Sequence, residues 1–208
     1  MQHETFELLN VAEDVSENVH QVNNLSKSEE SREKVIAQAE KLVEKSEEYK
    51  QAVKQRNENP KCANRILSIE EAGKAWSLAL QMWSELRAEE WESAWDKMVY
   101  AQRHAQASVR ADMLGDKLNM TPFYKRLNII EELLFPDQLF SSTGMQIGTG
   151  ICTLCESEYS ECHHIKGQAY NGEFCVVRLE DPKEVDHLAL VEDPDDKTLR
   201  VDALTPLE

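Results

Sequence analysis

The residues able to do chemistry are concentrated between Cys152 and Cys175, in CTLCESEYSECHHIKGQAYNGEFC. This stretch holds four of the five cysteines and two of the six histidines in a chain of 208 residues. Its spacing is Cys152-x2-Cys155-x6-Cys162-x-His164-x10-Cys175. A Cys-x2-Cys turn sets two thiolates on one ion, and a second pair of donors brought back by the chain completes a tetrahedron, the geometry of a structural zinc site. Gly167 and Gly172 lie between the last two candidates and permit the turns that this return needs. Six donors stand for four places: Cys152, Cys155, Cys162, His163, His164 and Cys175. Cys152 and Cys155 form the knuckle. Cys175, flanked by Phe174, Val176 and Val177, is expected on a strand that closes the site. Cys162 and His164 compete for the fourth place. One ion does not readily take all five of Cys152, Cys155, Cys162, His164 and Cys175, so one of them is expected to be a supporting group or a free thiol. The expected cofactor is one structural Zn2+.

The elements that position these donors are preceded by a long helical half. From Glu4 to about Asn57 there is neither proline nor glycine. Leu8, Val11, Val15, Val22, Leu25, Ile36, Ala39 and Val43 keep one alternating 3/4 register, with Asn18, Glu29 and Arg32 in a polar gap. The pattern predicts one long helix or two, with a narrow seam that meets its own chain or a coiled-coil partner. Asn59 and Pro60 read as a turn. Ser68 is the expected N-cap of a helix ending at Gly115, with Glu70 and Glu71 in its first turn. Its stripe is Ile69, Trp76, Leu80, Trp83, Trp91, Ala94, Met98, Ala101, Ala105 and Val109, with Trp95 at the border and Arg87 and His104 as polar residues on or near it. Such a stripe reads as a packing face. A third helix is expected over Pro122–Leu134, with Thr121 as its cap and Pro136 as its stop.

After Pro136 helical periodicity disappears and five of the seven glycines follow. The organisation expected is therefore a helical domain over 1–136, a linker over 137–150 and a zinc-binding β module over 151–208. Within that module FCVVRL, DHLALV and TLRVDAL read as three short strands broken by Pro182 and Pro194. The fold class is mainly α, a long helical hairpin or bundle, with a small C-terminal zinc-binding β-rich module.

The formal charge of −16 disfavours broad binding to nucleic acid or anionic lipid. No stretch approaches the roughly 18 apolar residues needed to span a bilayer. The N-terminal MQHETFELLNVAEDV has acidic residues where a signal peptide would be basic and then apolar. The cytoplasm is the expected location, where clustered thiols stay reduced and favour metal over disulfides.

The pattern resembles that of uncharacterised prokaryotic proteins with a C-terminal Cys-x2-Cys…Cys-x-His…Cys zinc-binding motif. It is carried by Cys152, Leu154, Cys155, Glu161, Cys162, His164, Ile165, Gly167, Tyr170, Gly172 and Cys175. Leu154 stands where isoleucine is usual, and Glu156 where glycine often follows the knuckle. The resemblance implies metal binding through His164 rather than His163. It implies no activity.

No residue is assigned a catalytic or cofactor-binding role. The sharpest enzymatic alternative is an HNH-type nuclease, with His163 as base, His164 on a catalytic metal, Asn171 orienting the base and His187 as a late ligand. Against it, Asn171 follows too soon, no second Cys-x2-Cys remains, and residues 150–180 carry five acids and two bases. The expected role is a non-catalytic zinc-binding accessory or scaffold subunit. Its partners would be other protein subunits or a second copy, met through the helices.

Overall fold

The computed structural model describes residues 2–22, 28–56, 59–135 and 138–201. The chain is mainly α-helical, with a small C-terminal β region that carries the Cys/His cluster. Among the described residues six helices come first: α1 (Gln2–Val22), α2 (Glu29–Gln55), α3 (Pro60–Arg87), α4 (Trp91–Ala111), α5 (Leu114–Lys117) and α6 (Met120–Leu134). Four strands follow: β1 (Phe140–Cys152), β2 (Ala169–Tyr170), β3 (Glu173–Phe174) and β4 (Val177–Val191). Two compact units result. One takes Met1–Glu131 and Gly167–Phe174, the other Glu132–Lys166 and Cys175–Glu208. Among the described residues no helix is long and apolar enough to cross a membrane.

In the helical unit the N-terminal seam is split between α1 and α2. Ser28 caps α2, its Oγ accepting from the Ser31 N–H at 3.2 Å. The buried faces are Leu8, Ala12, Val15 and Val19 on α1 and Val35, Ala39, Leu42 and Val53 on α2. They share one core with Ile66, Ile69, Trp76 and Leu80 of α3. The expected gap residue Arg32 is buried and donates from Nη1 to Ser84 Oγ at 3.3 Å. Leu25 and Asn57 lie outside the described residues.

The single helix expected from Ser68 to Gly115 is two helices. Asn59 and Pro60 are the cap and first residue of α3, with Asn59 Oδ1 accepting from the Lys61 N–H at 3.0 Å. Ser68 lies mid-helix and buried. Its hydroxyl donates to the Ser108 carbonyl at 2.9 Å, and the Ser108 hydroxyl donates to the Ser68 carbonyl at 2.7 Å. This reciprocal pair joins α3 to α4. The chain reverses at Ala88–Glu90, where Glu89 has φ 63°. The stripe is therefore shared by two packed helices, and its register resets at the break. Trp95 is 2% exposed and Trp91 50% exposed, the reverse of their expected places. Gly115 sits in α5, where a Cβ would come within 2.7 Å of the Ser108 carbonyl, so close approach rather than helix capping requires it. α6 begins at Met120, two residues before the expected start. Thr121 lies inside it and donates to Asp116 Oδ1 at 2.6 Å. Pro136 lies outside the described residues.

A buried charge network crosses this unit. Glu70 of α3 pairs with Lys50 of α2, and Lys74 donates to Glu70 at 2.6 Å and to Glu71 at 2.9 Å. Glu71 also meets His104 Nδ1 at 2.6 Å. Burial opposes the Glu71 carboxylate, but His104 and Lys74 hold it below its ordinary pKa. Lys74 is raised despite burial, through Glu70 and Glu71.

The residues Gly167–Phe174 form a small hairpin counted with the helices. β2 and β3 are joined by Asn171 (φ 50°) and Gly172 (φ 79°), the two left-handed positions of a type I′ turn. Asn64 of α3 clamps it, donating to the Ala169 carbonyl at 3.0 Å and accepting from the Gly172 N–H at 2.8 Å. Lys54 pairs with Glu173, and the Arg110 guanidinium lies 6.0 Å from the centre of the Phe174 ring.

In the second unit the expected linker over 137–150 is largely strand. β1 and β4 form an antiparallel ribbon from Phe140↔Val191 to Cys152↔Val177, with irregularities after Gly144 and Gln146. The two strands expected on either side of Pro182 are one 15-residue strand. Pro182 is tolerated because a two-stranded ribbon leaves each strand an unpaired edge. Of the third, Val201 N–H donates to the Leu139 carbonyl and Arg200 bridges Phe140; residues 202–204 lie outside the described residues. The pairs Ser141↔Leu190, Thr143↔Leu188 and Met145↔Val185 share one ribbon face, and Leu188 is 69% exposed. On the other face the His187 ring lies over Gly144, where a Cβ would come within 2.4 Å of it.

Candidate metal centre

The knuckle is built where β1 ends. The Cys152 carbonyl accepts from the Glu156 N–H at 2.9 Å, and the Cys152 N–H donates to the Ser157 carbonyl at 3.0 Å. Glu156 has φ 55°, the left-handed conformation a glycine would adopt freely. Its carboxylate accepts from Arg178 at 2.9 Å. Thr153 ties the knuckle to the chain beyond Cys175. Its N–H donates to the Val176 carbonyl at 2.9 Å, and its Oγ1 accepts from the Val176 N–H at 3.1 Å. The second arm returns through Tyr159. The Tyr159 N–H donates to the Gly150 carbonyl at 2.7 Å, its carbonyl accepts from the Cys162 N–H at 3.3 Å, and its hydroxyl accepts from the Lys166 N–H at 3.0 Å. Gly150 is needed here, since a Cβ would lie 2.7 Å from Val177 Cγ1.

These turns bring the donor atoms of Cys152, Cys155, Cys162 and His164 within 4.8 Å of one another, a set able to hold a metal ion. Cys152 Sγ lies 3.6 Å and Cys162 Sγ 3.3 Å from His164 Nδ1, and Cys155 Sγ lies 3.5 Å from Cys162 Sγ. A zinc tetrahedron with Zn–S near 2.3 Å and Zn–N near 2.0–2.1 Å has sulfur–sulfur edges of about 3.8 Å and sulfur–nitrogen edges of about 3.5 Å. The observed separations fit it to within a few tenths of an ångström. Cys162 and His164, set against each other by spacing alone, therefore stand together.

Cys175 is the donor left outside this group of four. It lies between β3 and β4 rather than on a strand, buried, with its Sγ 3.7 Å from Cys152 Sγ. His163 is exposed and outside the four. His187 is on the ribbon, opposite Gly144. Cys62 is half-buried against the helical core.

The four thiols differ in how readily they ionise. Burial opposes the Cys152 thiolate, but the N–H groups of Leu154 and Cys155 and the neighbouring Cys162 and Cys155 bring its pKa down to about 7. Cys155 is also lowered, chiefly by the Ser157 N–H and then by His164 and Cys162. Burial pushes Cys162 up to about 11 against the His164 N–H, and pushes Cys175 up beside Cys152. The knuckle pair is thus the ready half of the site, and a bound cation would have to displace a proton from Cys162.

Sequence reasoning missed the supports of this site. Thr153, Tyr159 and Arg178 had no local signal, because their contacts are made through folded turns. In the helical unit the Asn171-Gly172 turn did have one, since Asn-Gly is the strongest short-range mark of a two-residue hairpin. No family model, curated protein or solved structure matches the chain.

Proposed function

We propose that Cys152, Cys155, Cys162 and His164 hold one zinc ion as a structural clasp, and that the protein is a non-catalytic accessory subunit that works by binding other proteins. The observation that carries this reading is the set of four donors within 4.8 Å of one another, with the Cys152–His164, Cys162–His164 and Cys155–Cys162 separations close to the edges of a zinc tetrahedron. Three thiolates and one imidazole would saturate the ion and leave no position for substrate or water. The apolar content of the second unit supports the same reading. Among its described residues only Phe135, Phe140, Cys152 and Cys175 are buried and apolar, too few to fold a unit of this size without a staple. Such a site needs reduced thiols, which fits the cytoplasm.

A partner would be met through helices, and the seam and stripe residues are largely spent within the helical core. Ile129 on α6, 55% exposed, is a helix-borne apolar side chain left for the apolar face of another subunit's helix. The nuclease alternative would use His163, an exposed side chain, as its base.

The test is metal analysis together with the state of assembly. Purified protein should carry one zinc per chain, and Cys152→Ser or Cys155→Ser should lose both the metal and the C-terminal fold. A zinc-loaded chain that sediments as a monomer and co-purifies with no partner would defeat the accessory role. Mg- or Mn-dependent cleavage abolished by His163→Ala would favour the nuclease instead.

A further inference from the structure

The metal centre leaves one thiol over, and its position gives it a role. Cys175 is 1% exposed, with its Sγ 3.7 Å from that of Cys152. On the outer side of the cluster Cys155 is exposed, with its Sγ 3.5 Å from that of Cys162. The sulfurs of Cys155 and Cys162 thus make one contact open to solvent and those of Cys152 and Cys175 a buried one, with Cys152 Sγ also within 4.8 Å of Cys155 and Cys162. Each pair needs a shift of under about 2 Å to reach the disulfide bond length of about 2.05 Å. We infer that these pairs are the two disulfides of an oxidised, metal-free form of the site, and that Cys175 is the resolving thiol for Cys152. The inference rests on the metal-binding reading above and names hydrogen peroxide as the oxidant.

The chemistry balances as two equal steps. The exposed Cys155 thiolate attacks a peroxide oxygen; the S–O bond forms, the O–O bond breaks, and the leaving hydroxide takes up a proton as water. The Cys162 sulfur attacks the resulting sulfenic acid; the S–S bond forms, the S–O bond breaks, and a second water leaves with the thiol proton. Two thiols have lost two electrons and one peroxide has gained them. Cys152 and His164 then remain as two donors of the four, too few to keep an ion. A second peroxide oxidises Cys152 in the same way, and Cys175 supplies the attacking sulfur. Without Cys175 the Cys152 sulfenic acid has no adjacent free thiol, because Cys155 and Cys162 are already joined. It would proceed to sulfinic acid, which thiol reductants do not reverse. Cys175 therefore makes oxidation of this site reversible.

The experiment loads the full chain with zinc, adds hydrogen peroxide, follows released zinc with a chromogenic chelator, and maps disulfides by peptide mass spectrometry. The protein is then reduced with dithiothreitol and offered zinc again. The unaltered chain should release its zinc, show the Cys155–Cys162 and Cys152–Cys175 links, and recover its full zinc content. Cys175→Ser should bind one zinc before oxidation and lose most of its rebinding capacity after the cycle, with sulfinic acid at Cys152. Mapping of the unaltered chain does not depend on the variant folding, and absence of the Cys152–Cys175 link there overturns the inference. So does full recovery by Cys175→Ser, or a Cys175→Ser chain that binds no zinc at the outset, which would make Cys175 a ligand. An unaltered chain that never binds zinc is a separate result, and it overturns the metal reading itself.

Discussion

Glu156 follows the knuckle with φ 55°, where a side chain costs about 1 kcal/mol relative to glycine. Its compensation is the ion pair with Arg178, which lies in solvent with both side chains more than half exposed and is worth between about 0 and 1 kcal/mol. Glu156→Gly should therefore keep the metal and raise the stability of the metal-bound form by up to about 1 kcal/mol in thermal unfolding. A clear loss would show that the Arg178 pair outweighs the backbone strain. The thiols give a second prediction. Cys152 titrates at about 7 and Cys162 at about 11, so below these values protons compete with the metal for both sulfurs. Metal affinity should fall as pH drops from about 8 to about 6, and calorimetry in buffers of different ionisation enthalpy should show proton release on binding. Affinity constant across that range would contradict the assignment. At this scale the knuckle was legible, because Cys-x2-Cys has few other uses in a chain of this kind. The place of Cys175 beside Cys152 was not, since distance along the chain does not say which sulfurs the folded turns bring together.

Among the elements, the pairing of α3 with α4 depends on polar contacts inside an apolar interface. The Ser68–Ser108 pair and the Lys50–Glu70–Lys74–Glu71–His104 network are satisfied groups that must stay satisfied. Removing one member of a buried ionic network strands the others, so Glu71→Ala should cost roughly 3 kcal/mol in denaturant unfolding. A cost under about 1 kcal/mol would mean that water replaces the carboxylate. The pH dependence has a definite sign. Glu71 is depressed when folded, so its contribution is present above the ordinary carboxylate pKa and is lost as pH falls through the lowered value. Lys74 is raised, so its contribution is present below the ordinary lysine pKa and is lost only as pH rises through the raised value. The helical unit should be more sensitive to acid than to mild alkali. The turn between α3 and α4 escaped sequence reading because Ala88-Glu89-Glu90 contains neither glycine nor proline. A projection at 100° per residue also continues smoothly across a reversal. β1 was hidden for the opposite reason. Its glycines at 144, 148 and 150 read as a linker, whereas Gly144 and Gly150 make room for His187 and Val177 across the ribbon.

For the molecule as a whole, the two units differ in how they are held. The helical unit has a continuous core around Trp76, Ile66, Ile69 and Leu80. The second unit has a long ribbon, few buried apolar side chains and the Cys/His cluster. Removing the metal with a chelator should therefore abolish amide protection over 140–166 and 175–191 while leaving the helical circular dichroism, and the protection of the Gly167–Phe174 hairpin, largely unchanged. Loss of both together would contradict separate stabilisation. The ribbon face carrying Val185, Leu188 and Leu190 is exposed, so Leu188→Lys should alter stability by no more than about 0.5 kcal/mol. A larger loss would place that face in a contact. The mainly helical class and the small cysteine-rich β region were readable from composition and period. The membership of Gly167–Phe174 was not, because it depends on Asn64, more than 100 residues away, donating to and accepting from the hairpin's backbone.

In the proposed centre three sulfurs and one imidazole nitrogen hold one ion. X-ray absorption at the zinc edge on the stoichiometrically loaded chain tests it most directly. The expected result is one zinc per chain with three sulfurs near 2.3 Å and one nitrogen near 2.0–2.1 Å, unchanged in Cys175→Ser. Four sulfurs, an oxygen from exchangeable water in the coordination sphere, or no bound zinc would contradict it.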